Sequence, residues 1–128
     1  MNKKAFVIDD DKNIIELFKY TLEREGFIVA SAFNDIDIEK KILDEKPDIV
    51  ILDLMLPTNG GFAILKTLQK NETTKNIPVL VISGRFTDGT TYDFINSQPN
   101  VKGFTSKPID PSIFILEIKK IFGGTIDV

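Results

Sequence analysis

Four short runs of the chain are apolar almost without interruption: Ala5-Phe6-Val7-Ile8, Phe27-Ile28-Val29-Ala30, Ile49-Val50-Ile51-Leu52 and Val79-Leu80-Val81-Ile82. Continuous rather than alternating runs of this length predict strands covered on both faces. Gly103-Phe104-Thr105 is a fifth, weaker strand signal. Between the runs, apolar residues recur at three-and-four spacing, as Ile14, Leu17, Phe18 and Leu22 in a first helix and Phe62, Leu65 and Leu68 in a third. Residues 35–45 and 88–97 are predicted as the second and fourth helices, and residues 111–122 as the last. Asp11 is placed to cap the first helix, Gly26 to end it, and Asp110-Pro111 to open the last with a cap and a first-turn proline. Five alternations of strand and helix imply right-handed crossovers and an α/β fold, a doubly wound parallel sheet with helices on both faces.

The 128 residues suffice for one core, and no repeat, low-complexity run or linker divides them. Residues 1–122 are expected to form a single domain, with residues 123–128 a short tail. Composition matters mainly for what it removes. The chain has no cysteine and no histidine, so thiol chemistry, disulfides, His-based triads and the usual zinc ligands all drop out. Only Ala5-Phe6-Val7-Ile8 separates the start from three aspartates, too short for a signal core or a membrane span, which leads us to expect a cytoplasmic protein with no membrane contact. A net charge of −3 with scattered lysines gives no basic stripe for nucleic acid.

What remains is carboxylate chemistry. Asp9, Asp10 and Asp11 follow the first strand and Asp53 follows the third, so both acidic sites fall at strand carboxyl ends, where open α/β sheets bind ligands. Carboxylates crowded together raise one another's pKa unless a cation neutralises them. Oxygen-only ligation favours magnesium, with manganese as the alternative. Ser83 ends the fourth strand, Gly84 beside it leaves room for a ligand, and Lys107 lies just beyond the fifth strand. Singly, Ser83 would be a turn former, Lys107 a solvated surface lysine and Phe104 a core aromatic. Together a carboxylate, a metal, a hydroxyl and an ammonium are the parts needed to form and stabilise an aspartyl phosphate. For Asp11 the ordinary role, a helix cap, is the one we adopt.

Val7-Ile8-Asp9-Asp10-Asp11, Ile51-Leu52-Asp53-Leu54-Met55-Leu56-Pro57, Val81-Ile82-Ser83-Gly84 and Phe104-Thr105-Ser106-Lys107-Pro108 together resemble the receiver domain of bacterial response regulators, from about Lys4 to Phe122. The resemblance implies a five-stranded flavodoxin-like fold and a phosphoacceptor at Asp53. It implies Asp10 as a direct magnesium ligand, Asp9 as a partner through water, and the carbonyl of Met55 as a further ligand. It also gives Ser83 and Lys107 the phosphoryl oxygens, places Phe104 as the switch aromatic beside Ser83, and suggests a cis Lys107-Pro108 bond. The implied partner is a sensor histidine kinase or histidine phosphotransfer protein, and the domain would be a substrate that assists its own phosphotransfer and autodephosphorylation rather than a conventional enzyme. Ser83 and Phe104 depart from the Thr and Tyr common at those positions, and Gly60-Gly61 replaces a common Asp-Gly, suggesting a looser loop after Asp53.

Two rival classes come near this pattern. A dehalogenase-type phosphatase needs a second Asp two residues after its nucleophile, where this chain has Met55. A pseudo-receiver that binds partners without phosphorylation is the alternative, although acceptor, metal and lysine positions are all filled. By the resemblance to receiver domains, Met55 and Arg85 occupy positions that flank the route of hydrolytic water. On the last helix, Phe114, Ile115, Ile118, Ile121 and Phe122 share the face predicted to pack on the sheet, leaving Ile113 and Leu116 among charges as a contact for an output protein or a homodimer.

Overall fold

The computed structural model describes residues 2–56, 60–84 and 89–123. Pro57, Arg85, the expected fourth-helix start at Asp88, and residues 124–128 lie outside that set. Strands and helices alternate as β1 (Lys4–Ile8), α1 (Lys12–Arg24), β2 (Ile28–Ala32), α2 (Ile38–Glu45), β3 (Ile49–Asp53), α3 (Gly60–Lys70), β4 (Val79–Ser83), α4 (Gly89–Ser97), β5 (Val101–Ser106) and α5 (Pro111–Ile121). The strands form one parallel sheet in the order β2-β1-β3-β4-β5. The winding direction reverses between β1 and β3, and the crevice at such a reversal, outside the strands' carboxyl ends, is where these sheets bind ligands.

Residue parity explains why the central strands read as unbroken apolar runs. Ala5, Val7, Ile49, Ile51, Leu80 and Ile82 pack against α1 and α5 on one face. Phe6, Ile8, Val50, Leu52, Val79 and Val81 pack against α2, α3 and α4 on the other. Every residue of β3 and β4 is buried. The Phe18 and Phe114 rings, with centroids 4.5 Å apart, lock α1 to α5.

Several expectations shift. β2 begins at Ile28 rather than Phe27 and runs on to Ala32, and it is largely open, with Ile28 half exposed. As an edge strand it has no neighbour beyond it, and β5 at the other edge is likewise only partly covered. On α1 the buried stripe is Ile15, Phe18 and Leu22, with Ile14 and Leu17 at its margin. α2 starts at Ile38 instead of residue 35, because Asn34 Oδ1 accepts from the Ile36 N–H and holds a turn there, and Asp37 adopts a left-handed φ of 53°. The caps are as expected: Asp11 accepts from the Asn13 and Ile14 amides, Asp110 from those of Ser112 and Ile113, and Gly26 follows α1 with a φ of 94°.

Candidate phosphoacceptor site

β1 and β3 lie side by side with Ile8 opposite Leu52, so Asp9 and Asp53 emerge together at the reversal point. Both are buried, Asp9 at 1 % and Asp53 at 3 % exposure, whereas Asp10 is exposed. One carboxylate oxygen from each of Asp9, Asp10 and Asp53 can be chosen so that all three lie within 4.8 Å of one another. The backbone fixes two of them. Asp9 Oδ1 accepts from the Asp11 N–H at 2.8 Å, and Asp53 Oδ1 from the Met55 N–H at 2.9 Å.

Lys107 bridges the two buried acids. Its Nζ donates to Asp9 Oδ1 and to Asp53 Oδ2, each at 3.2 Å, and lies 3.0 Å from Asp9 Oδ2 without the alignment of a hydrogen bond. Asp9 Oδ2 is therefore a buried acceptor without a hydrogen-bond donor. Burial drives the Asp9 carboxyl up to about 6 from 3.8, against the lowering effect of the Asp11 amide and Lys107, and the charge of Asp53 adds to the rise. Burial also opposes the Lys107 charge, but the Asp9 hydrogen bond and the charges of Asp9 and Asp53 outweigh it and hold the ammonium above the ordinary lysine value.

Ser83 is buried at the end of β4, and its carbonyl accepts from the Lys107 N–H at 2.9 Å, which ties the ends of β4 and β5 together beside the pocket. The Leu54 N–H donates to the Ile82 carbonyl, continuing the β3–β4 ladder past Asp53. Lys107-Pro108 is cis. Phe104 lies within β5, half buried, its ring edge-on to Tyr92 of α4 at 6.2 Å. Met55 points outward, 40 % exposed.

Two glycines take roles the sequence did not disclose. Gly84 was expected to make room for a ligand, but a Cβ there would lie 3.3 Å from Lys107 Cδ, so the space is already used by the lysine stem. A Cβ on Gly61 would collide with the Leu54 backbone carbonyl, so glycine at this position permits a close approach of α3 to the end of β3; the loop expected to be looser runs through residues 57–59, outside the described residues. The adjacent Gly-Gly was the visible signal for this second role, but it does not name the partner.

The donor set fits a hard divalent cation. Three carboxylates against one ammonium leave two negative charges, one buried carboxylate oxygen lacks a donor, and every donor is oxygen. A doubly wound sheet carrying buried aspartates and a bridging lysine at its reversal point defines a class of α/β signalling domains. Comparison with known proteins makes this specific: the response regulator receiver domain matches residues 5–119, and the chain belongs to that family, whose domains signal within two-component systems rather than act as conventional enzymes. It is 31 % identical over 121 residues to the alkaline phosphatase synthesis transcriptional regulatory protein PhoP of Bacillus subtilis (strain 168), covering 94 % of this chain and 49 % of that one. The chain thus spans about half the length of that relative. Among solved structures it resembles the chemotaxis protein CheY4 of Vibrio cholerae (TM-score 0.85, 21 % identity, 94 % of this chain and 99 % of that one). It also resembles the signal receiver domain of a DNA-binding response regulator from Colwellia psychrerythraea 34H (TM-score 0.82, 25 % identity, 95 % and 99 %). The expected flavodoxin-like receiver fold is borne out.

Proposed function

We propose that Asp53 accepts a phosphoryl group from a phosphohistidine on a sensor histidine kinase or a histidine phosphotransfer protein, in the cytoplasm and with magnesium, or manganese, in the acidic pocket. The observation that carries this is the Lys107 bridge between two buried carboxylates, 3.2 Å from Asp53 Oδ2. In the transfer the phosphorus–nitrogen bond of the donor breaks as a phosphorus–oxygen bond to Asp53 forms. The Met55 amide holds Oδ1 of Asp53, and Oδ2 faces the ammonium, so phosphoryl oxygens arriving there meet a fixed positive charge. The Ser83 hydroxyl, at the adjacent strand end, supplies a second contact. Asp9, Asp10, Asp53 and the Met55 carbonyl would hold the metal, which when bound neutralises charge on the acceptor and the transferring group. Asp11 stays committed to its cap.

With no histidine in the chain, the phosphoryl donor must come from outside. Ser83 and Phe104 are the residues through which occupancy of Asp53 would be relayed, towards Tyr92 and α4. The output is a change in protein contacts, with α5 as the surface for an output protein or a second copy, and neither nucleic acid nor a membrane is engaged directly. Among the described residues no helix is long and apolar enough to cross a membrane. Incubation with acetyl phosphate and magnesium should add one phosphoryl mass to the chain, and Asp53→Asn should abolish it. Labelling of that variant at the parent's rate would overturn the assignment.

A further inference from the structure

The open edge of β2 lacks the features that keep sheet edges apart. From Phe27 to Phe33 the chain holds no charged residue and no proline, and the strand pairs with β1 in unbroken register, without a bulge. Ile28 and Phe33, towards its two ends, are 50 % and 51 % exposed. The Ile28 N–H donates to the Lys3 carbonyl and the Ala32 carbonyl accepts from the Asp9 N–H, so the even-numbered residues of β2 bond to β1. Backbone groups alternate in direction along a strand, which turns the N–H and C=O of Val29 and Ser31 to the open side. Among the described residues nothing bonds to them there.

The charges beside this edge identify what covers it. α1 lies over β1 and β2, with Leu17, Thr21 and Arg24 turned towards α5. At about 100° per residue, Lys12, Glu16, Lys19 and Glu23 share an arc of about 60° on the side away from α5. All four are exposed, and none forms an ion pair among the described residues. The Lys12 ammonium sits 4.6 Å from the centre of the Phe33 ring, which places this column over the β2 edge. At the other end the Phe27 N–H donates to the Leu22 carbonyl, so the middle of the column and Ala30 are level. Its signs alternate, and the column complements itself only when reversed. Against an antiparallel copy Lys12 meets Glu23 and Glu16 meets Lys19, whereas a parallel copy in register meets like with like. We propose that a second copy of this chain adds its β2 antiparallel to this one, about a two-fold axis at Ala30, joining two five-stranded sheets into one. Val29 of each copy exchanges both backbone hydrogen bonds with Ser31 of the other, and Ile28 lies beside the small Ala32 of the other. With strands at their normal spacing the two α1 helices run about 10 Å apart, an ordinary helix packing distance. The interface is isologous, so every contact occurs twice. It uses neither Asp53 nor α5, so Asp53→Asn should pair as the parent does, and a failure of labelling and a failure of pairing are separate results.

Sedimentation equilibrium should show the parent's average mass rising from 14.4 kDa towards twice that value as concentration approaches the millimolar range. Glu16→Lys alone and Lys19→Glu alone should each associate several-fold more weakly, because each sets like charges against one another across the axis. An equimolar mixture of the two should regain the parent's association. Ser31→Pro removes an outward N–H and should stay at 14.4 kDa. The charge variants lie on the exposed face of a helix, so they decide the matter even where Ser31→Pro fails to fold. Because the chain has no cysteine, register can be read by cross-linking. Facing residues that share no hydrogen bonds in an antiparallel pair have Cα atoms about 4.5 Å apart, within reach of a disulfide. Ala30→Cys should therefore oxidise to a dimer several-fold faster than Lys102→Cys, which is exposed on β5 at the far edge of the sheet. A mass fixed at 14.4 kDa at millimolar concentration, a mixture no more associated than either charge variant alone, or Ala30→Cys cross-linking no faster than the control would overturn the proposal.

Discussion

Replacing Asp9 with Asn should make the metal-free protein more stable at neutral and alkaline pH, although it removes one side of a salt bridge. Asp9 is buried, and its carboxyl is pushed up to about 6 from 3.8 because burial costs its charge more than Lys107 and the Asp11 amide return. A carboxyl whose pKa is raised in the fold contributes stability that is fully present below its unfolded value and is lost as pH rises through the folded value. Above pH 6 the parent therefore carries a penalty. Roughly two pKa units amount to about 3 kcal/mol, and screening through the side of the pocket open at Asp10 reduces this to about 1 to 3 kcal/mol. Asn keeps the shape of the neutral acid, and Lys107 keeps Asp53 as a partner. Urea unfolding in the presence of EDTA should show Asp9→Asn ahead by that margin at pH 8, with the advantage shrinking through pH 6 and nearly gone by pH 4. Added magnesium should stabilise the parent and reverse the order, because a bound ligand stabilises only the form that holds it. A variant less stable than the parent at pH 8 in EDTA, or one whose advantage is the same at pH 4 and pH 8, would refute this account of the pocket.

Other outcomes follow from single contacts. Lys107→Ala leaves two buried carboxylates without their shared ammonium and should raise the Asp9 titration further above 6, as followed by NMR of the carboxyl carbon. Asp10→Ala should weaken magnesium affinity sharply by calorimetry. Asp11→Ala should leave that affinity near the parent's and cost about 1 kcal/mol of stability through the lost cap. Gly61→Ala should cost at least about 2 kcal/mol in urea unfolding, since its Cβ would press on the Leu54 carbonyl rather than on a side chain able to move.

The fold was legible because its central strands are apolar on both faces, a pattern that few arrangements besides a covered parallel sheet produce. The edges were read less well. The run at Ile28 resembled a buried strand, yet β2 has a neighbour on one side only, and nothing in Phe27-Ile28-Val29-Ala30 reports that. Spacing gave the first helix its period and most of its inner face, with Phe18 and Leu22 buried and Ile14 packed at the margin, but it missed Ile15. In the pocket, the strand ends and the acidic residue types were visible in sequence. That Asp9 would be buried while Asp10 stays exposed was not, because the difference depends on tertiary partners distant in sequence, the Ala32 carbonyl that accepts from the Asp9 N–H and the Lys107 ammonium against its carboxylate. Nor could spacing show that the Lys107 stem fills the room beside Gly84, a contact across 23 residues of sequence.

The central claim is that Asp53 itself carries the phosphoryl group, and the most direct test locates the bond. After exposure to acetyl phosphate and magnesium, borohydride reduction converts an aspartyl phosphate to homoserine, and peptide mass spectrometry reads the residue. Homoserine at position 53 alone, absent when magnesium is withheld, is the expected result; an unmodified Asp53, or homoserine at Asp9 or Asp10 instead, would contradict it.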